Sequence, residues 1–163
     1  MKFYNYIPHY SGVYGENTVY VGKRSDHPCV VSHLHYEFNR WPMDDFLGCT
    51  FHFIGTERLR QALEALQPPV TGIEFDQVEI SGDDQEFKRV WREGRPDSAL
   101  GQWYWFKITG QAGRDDFGGK PSRELVISER VVSILLEQMT VINPARKIQE
   151  FKPEMEADRV PQK

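Results

Sequence analysis

Large apolar and β-branched residues of this chain fall mainly into short runs, and this pattern limits the possible folds more than any other feature of the sequence. Such runs are typical of β-strands. They occur at residues 18–21, 29–34, 50–54, 70–80, 103–108, 124–127 and 146–151. Three helical segments interrupt the series at irregular intervals, which argues against repeating β–α–β units. The sequence therefore predicts an α+β fold, in which a mainly antiparallel sheet packs against about three helices.

Each predicted helix has a recognisable start. The first begins after Thr56, repeats apolar residues at helical spacing and ends before Pro68. The second begins near Asp83, because Glu86 follows at the spacing of a capping box. The third begins after Ser128, and an apolar stripe along it predicts that it packs on the sheet.

The length of 163 residues is that of one domain. We expect this domain to span residues 1–151. Residues 152–163 are charged and contain proline, so they are predicted to form a flexible tail. No internal repeat is expected from the sequence.

Charge and apolar content limit the partners and the compartment. The chain has 20 basic and 24 acidic residues and a net charge of −4, which argues against direct nucleic-acid binding. No apolar stretch has the length of a signal peptide core or of a membrane span, so we expect a cytoplasmic protein without membrane contact. The two cysteines, Cys29 and Cys49, are too few for a disulfide framework and are expected to be reduced and buried.

One cluster has the residue types of a metal site. On a single strand, the alternate positions of His33, His35 and Glu37 would place two imidazoles and a carboxylate on one face. Two histidines and a carboxylate are a ligand set for a divalent metal. The alternative is that both histidines lie on the solvent face of a strand whose neighbouring apolar residues contribute to the core.

Acidic residues form a second candidate site, in two places. Asp83, Asp84 and Glu86 lie at the start of the predicted second helix. Asp115 and Asp116 lie in a predicted mobile, glycine-rich loop at residues 110–122, next to the aromatic side chain of Phe117. Exposed aromatic residues can anchor a protein partner, and carboxylates can attract a basic one. The alternative is that these carboxylates cap helices or face water.

The C-terminal part of the chain resembles one group of known proteins. An aromatic strand is followed by Asp-Asp-Phe at residues 115–117, by a short apolar strand, by Ser-Glu-Arg at residues 128–130 and by a final strand. Over residues 102–151 this order is similar to the closing segment of immunity proteins from bacterial polymorphic toxin and type VI secretion systems. The resemblance implies a non-enzymatic protein that neutralises a toxin encoded by the adjacent gene, and it implies no catalytic residue.

We therefore expect an immunity protein that has no cofactor and binds its cognate, cytoplasm-acting toxin. The predicted contact residues are Asp83, Asp84, Glu86, Asp115, Asp116 and Phe117. The alternative is a small metal-binding protein or metalloenzyme that uses His33, His35 and Glu37.

Overall fold

A computed structural model describes residues 1–26, 29–120 and 124–153 of the chain. Most of the regular structure in these residues is strand. The strands are β1 (Phe3–Tyr6), β2 (His9–Tyr10), β3 (Gly12–Tyr14), β4 (Val19–Val21), β5 (Val30–His33), β6 (His35–Phe38), β7 (Phe46–Cys49), β8 (His52–Thr56), β9 (Ile73–Gln77), β10 (Glu79–Gly82), β11 (Trp103–Ile108), β12 (Phe117–Gly119), β13 (Leu125–Ser128) and β14 (Ile148–Glu150). The helices are α1 (Glu57–Glu64), α2 (Glu129–Gln138), the short α3 (Pro144–Lys147) and a π-helix (Phe87–Arg92). No helix within the described residues is long and apolar enough to cross a membrane.

The mixed α and β character is confirmed, and two of the three predicted helices form where the sequence placed them. The hydroxyl of Thr56 accepts a hydrogen bond from the Leu59 N–H at the start of α1. The hydroxyl of Ser128 accepts one from the Val131 N–H at the start of α2. The predicted second helix is instead a six-residue π-helix. Most of the predicted tail, residues 154–163, lies outside the described residues.

The described strands form four sheets rather than one. A five-stranded sheet has the order β2-β7-β8-β11-β9, and a four-stranded sheet has the order β12-β13-β1-β14. A three-stranded sheet has the order β10-β6-β3, and β4 and β5 form a separate ribbon. Most strand pairs are antiparallel, whereas β2 with β7 and β6 with β10 are parallel. The expectation of a mainly antiparallel single sheet is therefore only partly correct.

Several strands differ from the sequence-based expectation. Residues 70–80 were expected to form one irregular strand, but the chain changes sheets at Val78, between β9 and β10. The strand β7 was not predicted. The predicted mobile loop at residues 110–122 contains β12, which pairs with β13.

The chain contains a structural repeat, so the expectation that it has none is wrong. Asp-Asp-Phe occurs at residues 44–46 and 115–117, and Thr-Glu-Arg or Ser-Glu-Arg at residues 56–58 and 128–130. In each copy the first motif leads into a hairpin and the second begins a helix. The first unit consists of β7, β8 and α1, and the second of β12, β13 and α2.

The strands that flank the two units correspond as well. In the first unit β11 pairs with β8 and the edge strand β9 pairs with β11. In the second unit β1 pairs with β13 and the edge strand β14 pairs with β1. The Glu57 N–H donates to the Gln102 carbonyl at 3.1 Å, just as the Glu129 N–H donates to the Lys2 carbonyl at 3.0 Å. Thus β11, which directly precedes the second unit in the chain, lies in the sheet of the first unit. The N-terminal strand β1 lies in the sheet of the second unit.

Two hydrophobic cores hold these layers together. The first core lies between α1, α2 and one face each of the five-stranded and four-stranded sheets. The equivalent phenylalanines Phe46 and Phe117 meet in it, with ring centroids 6.4 Å apart. The second core lies on the opposite face of the five-stranded sheet, against β5, β6 and Phe87 of the π-helix. The five-stranded sheet is therefore covered on both faces.

Candidate partner-binding surface

The first group of predicted contact residues lies where β10 leads into the π-helix. Asp83 is partly buried, and its Oδ1 accepts a hydrogen bond from the Phe87 N–H at 2.9 Å. Asp84 is directed outward, with 85% of its side chain exposed, and pairs with Lys88 at 2.6 Å. Glu86 is also exposed. Asp83 thus accepts a hydrogen bond from the first residue of the π-helix, whereas Asp84 and Glu86 present carboxylates to solvent.

Next to these carboxylates the chain forms a shallow cavity with a polar lining. Its volume is about 570 Å³, and it is lined by Asn39, Arg40, Asp83, Asp84, Gln85 and Glu86. Arg40 is the cationic residue of this lining. The cavity therefore has carboxylates on the side of the π-helix and a cation on the opposite segment.

Aromatic and arginine side chains border the same region. Trp41 stacks on Phe87, with ring centroids 5.9 Å apart and nearly parallel planes. The Arg95 guanidinium lies 5.1 Å from the ring centre of Trp91 and 5.9 Å from that of Trp41. Val90 on the π-helix is 55% exposed. Tryptophan and arginine are enriched among residues that dominate protein–protein binding energies.

Phe87 fixes the position of this region on the protein. Its ring is buried in the second core and lies 6.0 Å from the ring of Phe38. A π-helix is a rare structure that is often found at functional sites. We call Trp41, Asp84, Glu86, Trp91 and Arg95 the acidic–aromatic surface.

Two members of the second group of predicted contact residues are buried, so the expectation that their side chains are exposed in the loop is wrong. Asp116 is 5% exposed and Phe117 is 2% exposed, so neither side chain is accessible to a partner. Asp115 is half-buried, and its Oδ2 accepts a hydrogen bond from the Gln111 N–H at 2.7 Å. The backbone from Gln111 to Phe117 is held by hydrogen bonds and is not a loop open to a partner.

Asp116 is instead the centre of a structural network. Arg130 donates to both of its carboxylate oxygens, from Nε at 2.8 Å and from Nη2 at 2.6 Å. The Ser128 hydroxyl donates at 2.7 Å and the Thr71 N–H at 2.9 Å. Burial alone would raise the pKa of Asp116, but these donors outweigh it and lower the pKa to about 2. The network connects the start of α2 to the segment that follows α1.

The first unit contains the equivalent network around Asp45. Arg58 donates to its two oxygens at 3.1 and 2.6 Å, the Thr56 hydroxyl at 2.7 Å, and the Thr140 N–H at 2.8 Å. Burial opposes ionisation of this carboxyl too, yet the hydrogen bonds, led by those from Arg58, lower its pKa. The repeated Asp-Asp-Phe and Thr/Ser-Glu-Arg motifs were the sequence signal for both networks.

The predicted metal ligands do not share one strand. Strand β5 ends at His33, and His35 begins β6, which belongs to another sheet. The carboxylate that contacts both imidazoles is not that of Glu37 but that of Glu79 on β10, which lies 3.0 Å from His33 Nε2 and 3.6 Å from His35 Nδ1. Within the described ranges, no group of three or more His, Cys, Asp or Glu side chains has a geometry that could hold a metal ion.

Both ring nitrogens of the buried His35 have partners in the protein. The Asn17 N–H donates to Nδ1 at 3.1 Å, so the neutral imidazole carries its proton on Nε2, which lies 2.7 Å from the Ser81 hydroxyl. His35 therefore joins β6, β10 and the turn before β4. This is a structural role that the alternation pattern did not reveal.

Comparison with protein-family models, with curated proteins and with solved structures found no match to this chain.

The two cysteines are free and buried, as expected. Burial raises the pKa of Cys49 to about 12, and the nearby Cys29 side chain adds to this rise. Cys29 lines a cavity of about 370 Å³ together with His52 and Trp105. The hydroxyl of Tyr14 lies 2.6 Å from His52 Nδ1, and burial lowers the pKa of His52 to about 4. The ring of His52 is thus neutral at physiological pH.

Proposed function

We propose that this protein binds and neutralises a bacterial toxin that acts in the cytoplasm and is encoded by the adjacent gene. Inhibition is by binding and involves no chemical reaction. The observation that supports the proposal is the acidic–aromatic surface, where exposed carboxylates adjoin tryptophan and arginine side chains on a rigid support. The resemblance of residues 102–151 to immunity proteins gives the class of partner.

The charges of this surface indicate how the partner is recognised. A toxin that acts on nucleic acid or on a nucleotide holds phosphate groups and therefore presents a basic surface around its active site. Asp84 and Glu86 attract such a surface and raise the association rate. Trp41 and Trp91 provide apolar area close to the carboxylates, and such area slows dissociation once it is desolvated. The Arg95 guanidinium lies over both indole rings.

The decisive experiment is co-expression with the product of the adjacent gene. We expect growth to be rescued and a complex to survive purification. A toxic product that this chain neither binds nor neutralises would reject the immunity function.

A charge-reversal variant tests the surface separately. Asp84→Lys with Glu86→Lys should slow association with the toxin by about tenfold at low ionic strength and reduce its dependence on salt. The matched control, Glu137→Lys with Glu150→Lys, changes net charge equally at exposed positions on α2 and β14. Equal association rates for the two double variants would show that the acidic–aromatic surface does not guide binding, even if the complex forms.

A further inference from the structure

The two structural networks differ in the contacts that the arginine guanidinium makes beyond the aspartate. In the second unit, Arg130 donates to Asp116 with its inner edge and to two backbone carbonyls with its outer atoms. Its Nη1 lies 2.6 Å from the Pro68 oxygen, and its Nη2 lies 3.1 Å from the Pro69 oxygen. The side chain is 24% exposed. The segment that follows α1 thus covers the guanidinium with main-chain oxygens.

The equivalent arginine of the first unit has no such cover from the part of the chain that the structure describes. Arg58 donates to Asp45 with Nε and Nη2, and Nη2 also lies 3.4 Å from the Thr140 hydroxyl. Its side chain is 58% exposed. The helix α2 runs to Gln138, so Met139 leads directly to Thr140, and within residues 1–26, 29–120 and 124–153 no segment equivalent to Pro68–Pro69 lies over Arg58. The donors of Nη1 therefore face solvent.

A cavity lies beside the exposed edge of Arg58. Its volume is about 220 Å³. Its lining includes Trp41, Met43, Ala99, Leu100 and Trp103 in addition to the Asp45 network. Met43 is 50% exposed. The site therefore combines an oriented hydrogen-bond donor with an apolar wall.

The charge of the site favours neutral oxygen acceptors over a free anion. Asp45 already balances the Arg58 cation through two hydrogen bonds. It also holds the guanidinium plane in place before any partner arrives, so little conformational entropy remains to be lost. Backbone carbonyls that are turned toward Arg58 satisfy such a donor, as those of Pro68 and Pro69 do at Arg130.

We propose that Arg58 and its cavity are a docking site for an extended segment of the partner protein. Two consecutive backbone carbonyls of this segment accept hydrogen bonds from Arg58, and an apolar side chain packs against Met43 and Leu100. The identity of the partner rests on the function proposed above. Residues 39–43 support this choice, because they connect the two cavities: Asn39 and Arg40 line the cavity at the acidic–aromatic surface, and Trp41, Pro42 and Met43 line this one.

The test uses the chain's own segment as a probe. The synthetic peptide Gln-Pro-Pro-Val-Thr, with blocked ends and the sequence of residues 67–71, is titrated into the full-length ¹⁵N-labelled protein. We expect saturable shifts of the Arg58 Nε–H and Trp103 indole N–H resonances, with a dissociation constant on the order of 1 mM. The Arg130 resonance should not move, because its acceptors are already supplied by the chain.

Two variants locate the binding. Ala99 is exposed and lines the cavity, so Ala99→Trp should block it without replacing any residue of the Asp45 network and weaken peptide binding by about fivefold or more. Ala145→Trp is the matched control, since Ala145 is exposed and lies outside the cavity lining. Arg58→Lys retains the charge but loses the paired donors, so it should also weaken binding.

The outcomes separate the two proposals. If the Arg58 resonance does not shift at about 10 mM peptide, or if Ala99→Trp binds as well as Ala145→Trp, the docking site is wrong. The immunity function is judged independently by co-expression. In the toxin complex, Ala99→Trp should raise the dissociation rate about tenfold relative to Ala145→Trp. Equal dissociation rates would show that the toxin does not use this site.

Discussion

Replacing Asp116 by asparagine should destabilise the fold in a way that depends on pH. Asparagine keeps the shape of the side chain but removes the charge that Arg130 and its neighbours stabilise. The bonds from Arg130, Ser128 and Thr71 hold the pKa of Asp116 at about 2, against an ordinary value of 3.8. Each pKa unit corresponds to about 1.36 kcal/mol, so the ionised carboxylate contributes about 2 kcal/mol.

A further cost adds to this value. The Arg130 side chain is only 24% exposed and loses its counter-ion in Asp116→Asn. The expected total loss in the free energy of unfolding at pH 7 is therefore about 2–4 kcal/mol. Asp45→Asn should cost less, because Arg58 is 58% exposed and water can solvate its charge. Asp84→Asn, at an exposed position, should change stability by less than about 0.5 kcal/mol.

Urea unfolding between pH 7 and pH 2 measures these differences. Because the pKa of Asp116 is lower in the folded than in the unfolded state, its contribution is complete above about pH 4 and is lost as the pH falls through about 2. The difference in the free energy of unfolding between wild type and Asp116→Asn should therefore become smaller as the pH falls from about 4 to about 2. A gap that stays constant with pH, or a cost no larger than that of Asp84→Asn, would refute the structural role of the carboxylate.

Three other expectations test the packing and a buried histidine. Leu63→Ala should cost about 2–5 kcal/mol in chemical denaturation, because Leu63 is fully buried in the first core, whereas Glu64→Ala should be nearly neutral. Gly72→Ala should lower the melting temperature more than Gly101→Ala: both glycines have positive φ, but only at Gly72 would a Cβ collide with a backbone carbonyl. Burial holds the pKa of His52 at about 4, below its ordinary 6.5, so the wild type should lose about 3 kcal/mol as the pH falls from 6.5 to 4. His52→Gln should abolish this loss, and an unchanged pH profile in that variant would contradict the assignment.

The two structural networks explain why acidity alone was a poor guide to which carboxylates are exposed. Asp84 and Asp116 each belong to an acidic doublet, yet one faces solvent and the other is buried with an arginine. The difference depends on which remote segment lies over the carboxylate. For Asp116 that segment includes Thr71, and for Asp45 it includes Thr140. Neither contact is apparent from the residues adjacent to the doublet.

Local patterns correctly predicted the elements whose signals are contained within a few residues. The starts of α1 and α2 follow from the hydroxyl residues Thr56 and Ser128, and the strand β11 follows from its aromatic run. A helix cap acts on backbone groups within the next turn, so its effect is visible in sequence. The strand β12 was missed because its two glycines are typical of loops, and it is stabilised by pairing with β13.

The sequence by itself contains the repeated Asp-Asp-Phe and Thr/Ser-Glu-Arg motifs. It also determines the two helices and their caps. The tertiary structure alone decided that β1 joins the second unit and β11 the first. It also decided that Arg130 is covered by Pro68 and Pro69 while Arg58 remains exposed. The physical reason is the distance along the chain over which each kind of interaction acts. Capping and helical periodicity act between near neighbours, whereas strand pairing and burial of charge depend on free energies summed over segments that are distant in the chain.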